Sequence, residues 1–162
     1  MRSSRTATHD QEKNTMGFNI ANAALRLVSG AYILNSGIGK LRMPAESAEG
    51  LQSMTANAIP QVNKIEPALF GKALAAGEIA VGSALLTPFI PSRMAGLGLG
   101  AFAAGLVATY LKTPGLTESD GIRPTPNGVP MAKDFWLAGI AIALVFGRGK
   151  HKTKIKEVAA KK

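Results

Sequence analysis

The sequence contains no cysteine. It therefore forms no disulfide, offers no thiolate to a metal and has no thiol nucleophile. Histidine is almost as scarce: His9 and His151 both lie in the charged termini, which excludes a buried axial pair for haem within the single chain. Any redox cofactor would belong to a partner or be held without such ligands. Charge is thin, at 18% of residues, and aromatics reach only 6%, against 46% hydrophobic residues, a balance that argues for one folded unit and against disorder.

What is present is long and apolar. Four segments approach the roughly 20 apolar residues that a helix needs to cross a bilayer. They are residues 17–38, residues 67–90, residues 94–111 (with no charge at all), and residues 135–147. The last is short, and it spans only if Met131 to Asp134 and Arg148 help at its ends by snorkelling. A soluble bundle would show one apolar stripe and one charged face per helix, whereas these segments are apolar all round. The first is too long for the apolar region of a secretory signal and holds Arg26, so it reads as an uncleaved helix. The expected fold is all-α: a four-helix transmembrane bundle over residues 17–147, between a polar segment at 1–16 and a basic tail at 148–162.

The net charge of +9 is concentrated in that tail, which carries seven basic residues against Glu157 alone. Arg2, Arg5 and Lys13 precede the first helix, and Arg93 sits in the tight "PFIPSR" turn. Basic residues favour the cytoplasmic side, so both termini are expected there, in a bacterial plasma membrane. The long connections, residues 39–66 and 112–134, then lie outside. "PAESAEGLQSMTANAIP" in the first places Leu51, Met54 and Ala58 at near-helical spacing, open to reading as a short interfacial helix or as an irregular loop. The second, with four prolines and three glycines in "KTPGLTESDGIRPTPNGVP", is a structured turn-rich segment. The tail suits anionic lipid head groups. With no stacking aromatics and no recognition fold, nucleic acid is not an expected partner.

Two charges fall deep inside the spans. Counted from the inner ends, Arg26 lies roughly 14 Å deep and Glu78 roughly 17 Å, at 1.5 Å per residue. An unpaired charge at that depth costs several kcal/mol, so an Arg26–Glu78 ion pair between the first two helices is expected. Arg26, Gly30, Ile33, Gly37 and Lys40 share one helix face, and Gly71, Ala75, Glu78, Gly82 and Leu85 share another. Gly30, Gly37 and Gly82 would let the backbones approach closely, with Gly96 and Gly100 doing the same on the third helix. A structural brace and a proton-active carboxylate both stand open for Glu78. Tyr32, Asn35, Lys40, Lys72 and Trp136 lie toward the outer half, as candidates for contact with a quinone head group or a lipid; interfacial anchoring is the alternative for the aromatics. "GLGLG" at 96–100 follows no strand and precedes no Lys-Ser/Thr, so it is packing and not a phosphate loop.

"LRLVSGAYILNSGIGKL", with Arg26, Gly30, Gly37 and Lys40, resembles the first helix of the DoxX family of small four-helix membrane proteins. "AAGEIAVGSALLTPFIPSRMAGLGL", with Glu78, Gly82 and Arg93, is similar to that family's second helix, inner turn and third helix. The resemblance implies a four-helix bundle associated with quinone-linked sulfur oxidation or with respiratory and oxidative-stress membrane assemblies. It implies no settled catalytic residues. The expected function is a non-catalytic accessory subunit of a larger, respiratory or quinone-linked membrane complex, docking through small-residue faces and outer loops. The chain alone would bind no cofactor beyond a quinone contact. The alternatives are a quinone-reactive subunit of a sulfur-oxidising complex and a small-solute or lipid carrier.

Overall fold

The computed structural model describes residues 20–147. The polar N-terminal segment, the basic tail and its expected lipid contact lie outside the described residues. The described chain runs α1 (Ile20–Lys40), α2 (Ala45–Ala56), a 3-10 turn (Pro60–Lys64), α3 (Pro67–Leu86), α4 (Ser92–Lys112), α5 (Val129–Ala132) and α6 (Asp134–Phe146). Among the described residues there is no strand, only an isolated antiparallel bridge between Thr117 and Pro124.

Proline sets most of the boundaries. Pro67 occupies the first turn of α3 and Pro130 that of α5, where a missing N–H costs nothing. Pro44 and Pro91 stand immediately before α2 and α4. α3 ends at Leu86 because Pro88 drives Thr87 out of the helical region; Thr87 is extended at ψ 116°.

The four long helices pack as two close antiparallel pairs. α1 lies along α3, where a Cβ added at Gly37 would come within 2.9 Å of the Glu78 Cβ, and one at Gly30 within 2.9 Å of the Leu85 Cβ. Gly82 is tighter still: its Cβ would meet the Leu34 backbone nitrogen at 2.6 Å. α4 lies along α6, with Gly96 against Leu144 and Val145. These four glycines pack helix to helix, as their spacing predicts. Gly100 has only ordinary contact, 3.6 Å from the Ala141 Cβ, so α4 and α6 diverge slightly there. The two pairs meet over a core of Ile33, Leu85, Ala95, Leu99, Ala141 and Leu144.

Three helices are long and apolar enough to cross a membrane: α3, α4 and the run Val129–Phe146 that joins α5 to α6. That run supplies the extra turn the fourth segment needed. α1 is equally long but carries Asn22, Arg26, Ser29, Asn35, Ser36 and Lys40, and it does not reach the same apolarity. Within the three spans only 17 to 33% of residues are buried inside the protein, so apolar side chains such as Leu97, Ile142 and Phe146 face outward. A water-soluble bundle would place polar residues there.

The long connections are built as well. α2 forms over the segment left open between helix and loop, and it packs Ala48 against Gly71 of α3. Buried Gln52 donates through Nε2 to the carbonyls of Val62 and Ile65, both at 2.7 Å, tying the 3-10 turn to α2. In residues 113–128, Gly115 and Gly121 adopt positive φ at the turns, and the Tyr110 hydroxyl reaches out of α4 to donate to the Ile122 carbonyl at 2.8 Å. Asp120 is held by the Arg123 side chain and by the N–H groups of Ile122 and Arg123, which lower its carboxyl to about 2.

Candidate functional site

Glu78 does not pair with Arg26. Its carboxylate accepts from the Lys40 ammonium at 3.0 Å, and Lys40 also donates to Ser36 Oγ at 2.6 Å. Helical side chains lean toward the N-terminus of their own helix, so Lys40, at the end of α1, reaches back over one turn into the bundle. The expected pairing fails for a reason of register. Depth counting set the start of α1 level with the inner end of α3, but Gly30 of α1 already lies against Leu85, one residue from where α3 stops at Leu86, while Glu78 sits about 12 Å inside that end. Antiparallel packing then sets Glu78 opposite Gly37, and Arg26 beyond the end of α3.

Arg26 has a different task. Nε donates to the Leu85 carbonyl at 2.7 Å, Nη1 to the Ile90 carbonyl at 2.8 Å and Ser92 Oγ at 3.3 Å, and Nη2 to the carbonyls of Ala84 and Thr87 at 3.1 and 2.6 Å. The last carbonyls of a helix lack intrahelical partners, and in an apolar environment they need donors. One guanidinium supplies them and locks the α3–α4 turn.

Above the apolar core, toward the end that bears α2 and the long connections, the four helices enclose a polar cavity of about 160 Å³. Tyr32, Ser36 and Lys40 come from α1, Glu78 from α3, and Phe102 and Leu106 from α4; Lys133 precedes α6, and Asp134 and Leu137 belong to it. Glu78 is 4% exposed, whereas Tyr32 is 53% exposed and forms the rim. The Lys133 ammonium stands 5.8 Å from the Tyr32 ring centroid, within cation–π range. Asp134 lies at the start of α6, where a carboxylate is favoured by the helix dipole, but it caps no backbone N–H. A second, largely apolar space of about 260 Å³ adjoins the cavity and shares Tyr32, Lys133, Asp134 and Leu137 with it; Val28, Ser29, Trp136 and Ile140 complete its lining.

No protein-family model, curated protein or solved structure matches the chain.

Of the residues singled out for head-group contact, Tyr32 and Lys40 meet in the cavity, and Trp136 lines the adjoining space. Asn35 and Lys72 are exposed on α1 and α3 and take no part in it. The sequence reading missed Ser36, Lys133 and Asp134. Ser36 was findable, because it lies one turn before Lys40. Lys133 and Asp134 were read as membrane-end anchors, since nothing local shows that the start of α6 turns toward α1. No group of three or more metal-ligating side chains occurs among the described residues. The arrangement can hold a polar head in the cavity while an apolar chain lies beside it.

Proposed function

We propose that this protein is a four-helix integral membrane protein of the DoxX-like kind, with both termini on the cytoplasmic side, that holds the head group of an amphipathic membrane ligand of quinone or lipid type. The observation that carries this reading is the continuity of two unlike spaces. A charged cavity at the four-helix junction shares a wall with an apolar groove between α1 and α6. Ligand sites commonly pair apolar walls with a few converging polar groups, and here the division follows that of a lipid-soluble molecule. Arg26 and the Lys40–Glu78 pair act as braces for this site.

The test is co-purification. The full chain, extracted in mild detergent, should carry a stoichiometric amphipathic molecule detectable by native mass spectrometry. Leu106→Trp, which fills the cavity from α4, should fold and lose it. Equal content of bound small molecules in both proteins would count against the reading.

A second reading, an accessory subunit of a larger respiratory or quinone-linked assembly, draws on another surface. Between α4 and α6 runs an open apolar groove of about 580 Å³, lined by Leu97, Ala101, Ala104, Phe135, Ala138 and Ile142 among others. Small residues on such a face suit close helix approach. Gly30, Gly37, Gly82 and Gly96 are engaged within the chain, so docking would use this groove and the outer connections instead. Stoichiometric recovery of other membrane subunits after gentle solubilisation supports it; recovery of the free chain alone contradicts it.

A further inference from the structure

Resting on the ligand-holding reading above, we infer that the head group is zwitterionic, an anionic group beside a primary ammonium, as in an aminophospholipid of the phosphoethanolamine class. Lys40 and Glu78 already satisfy one another at 3.0 Å. Lys133 and Asp134 remain, consecutive residues where α6 begins, and both line the cavity and the adjoining groove. The half-buried Asp134 makes no hydrogen bond or ion pair with any described residue. Lys133 has the Tyr32 ring and the through-space attraction of the Asp134 charge, both weaker than a hydrogen bond to a phosphate oxygen.

A cation and an anion that attract one another without a direct hydrogen bond thus stand side by side where the bundle meets its long loops. A head group with acceptors alone, such as an oxidised quinone ring, engages Lys133 but leaves the Asp134 carboxylate without a donor. An anionic head group brings a third negative charge next to Glu78 and Asp134. A quaternary ammonium has the right charge and no N–H to give. A phosphate with a primary ammonium satisfies both residues, and its acyl chain continues into the groove past Val28, Trp136 and Ile140.

Trp136 is the only tryptophan in the chain and lines that groove, so its emission reports occupancy. The delipidated full chain in non-ionic detergent is titrated with short-chain phosphatidylethanolamine, phosphatidylglycerol, phosphatidylcholine and diacylglycerol, and with free phosphoethanolamine. Phosphatidylethanolamine should shift the emission saturably and bind about ten-fold tighter than the other three lipids, the worth of one charge-assisted hydrogen bond. Free phosphoethanolamine should give no shift at the same concentration. Asp134→Asn should abolish the preference over phosphatidylglycerol and Asp134→Glu should keep it, with helicity and melting confirming the fold of each. If neither folds, Lys133→Gln serves, and it should lose the preference over diacylglycerol. Saturable binding without head-group preference, or a preference for phosphatidylglycerol, overturns this inference and leaves the ligand-holding reading standing. No saturable change with any lipid overturns both. Equally tight binding of free phosphoethanolamine overturns the lipid source.

Discussion

Removing either partner of the Lys40–Glu78 pair should destabilise the bundle, and the two removals should differ in size. Glu78 is 5% exposed at its side chain and Lys40 21%, and among the described residues Lys40 is the only group that donates to the Glu78 carboxylate. Lys40→Met therefore leaves a nearly dry carboxylate with nothing to meet it, at about 3–5 kcal/mol. Glu78→Gln leaves an ammonium that keeps Ser36 and some access to water, so its cost falls toward the lower end, about 2–3 kcal/mol. The double variant Lys40→Met, Glu78→Leu should recover much of the loss, because a buried pair replaced by apolar groups is often close to neutral. Thermal unfolding in detergent, followed by circular dichroism, gives the three values and hence the coupling between the sites. The same cycle with Arg26→Gln and Glu78→Gln should be additive to within about 0.5 kcal/mol, since the two residues share no partner. Coupling of Glu78 to Arg26 and not to Lys40 would refute the register of α1 on α3.

Three further outcomes are expected. Gly82→Ala should cost about 1–3 kcal/mol, because the new Cβ meets Leu34 backbone atoms at 2.6 and 2.8 Å, while Gly100→Ala, whose Cβ makes only an ordinary contact at 3.6 Å, should not lower the melting temperature. Arg26→Lys cannot reach four carbonyls with a single ammonium, so hydrogen exchange across residues 84–92 should rise at least ten-fold while α4 and α6 stay protected. Asp120 is depressed to about 2 by Arg123 and two backbone N–H groups, so its stabilisation of the turn at residues 118–123 is present above the ordinary carboxylate range. That contribution fades as pH falls from about 4 toward about 2, and exchange in residues 113–128 should increase over that window in the native chain but not in Asp120→Asn.

The faces of the helices were legible and their register was not. The series Gly71, Ala75, Glu78, Gly82 and Leu85 is the buried face of α3, as its spacing predicts, because helical periodicity is a local property of the chain. Lys40 was placed on the same face as Arg26, yet its pairing with Glu78 escaped. The choice turned on how far α1 runs past the end of α3, an offset set by the packing of Gly30 and Gly37 against that helix and not by helical periodicity. The close helix contacts at Gly30, Gly37, Gly82 and Gly96 could be read from residue size. The cavity could not. Lys133 and Asp134 join Tyr32 and Glu78 only because α6 begins deeper in the bundle than α1 ends, and that is set by packing between α4 and α6 and by no motif in either.

The central claim is that the junction cavity and its groove hold one kind of amphipathic molecule. It is tested most directly by photo-crosslinking from position 32, at the rim shared by both spaces, with a photoreactive amino acid in the full chain in native membranes and mass spectrometry of the adducts. The account predicts one amphipathic species enriched well above its share of the membrane, and no such enrichment from Leu97 on the outward face of α4. Adducts from position 32 that mirror the bulk lipid composition, like those from position 97, would contradict it.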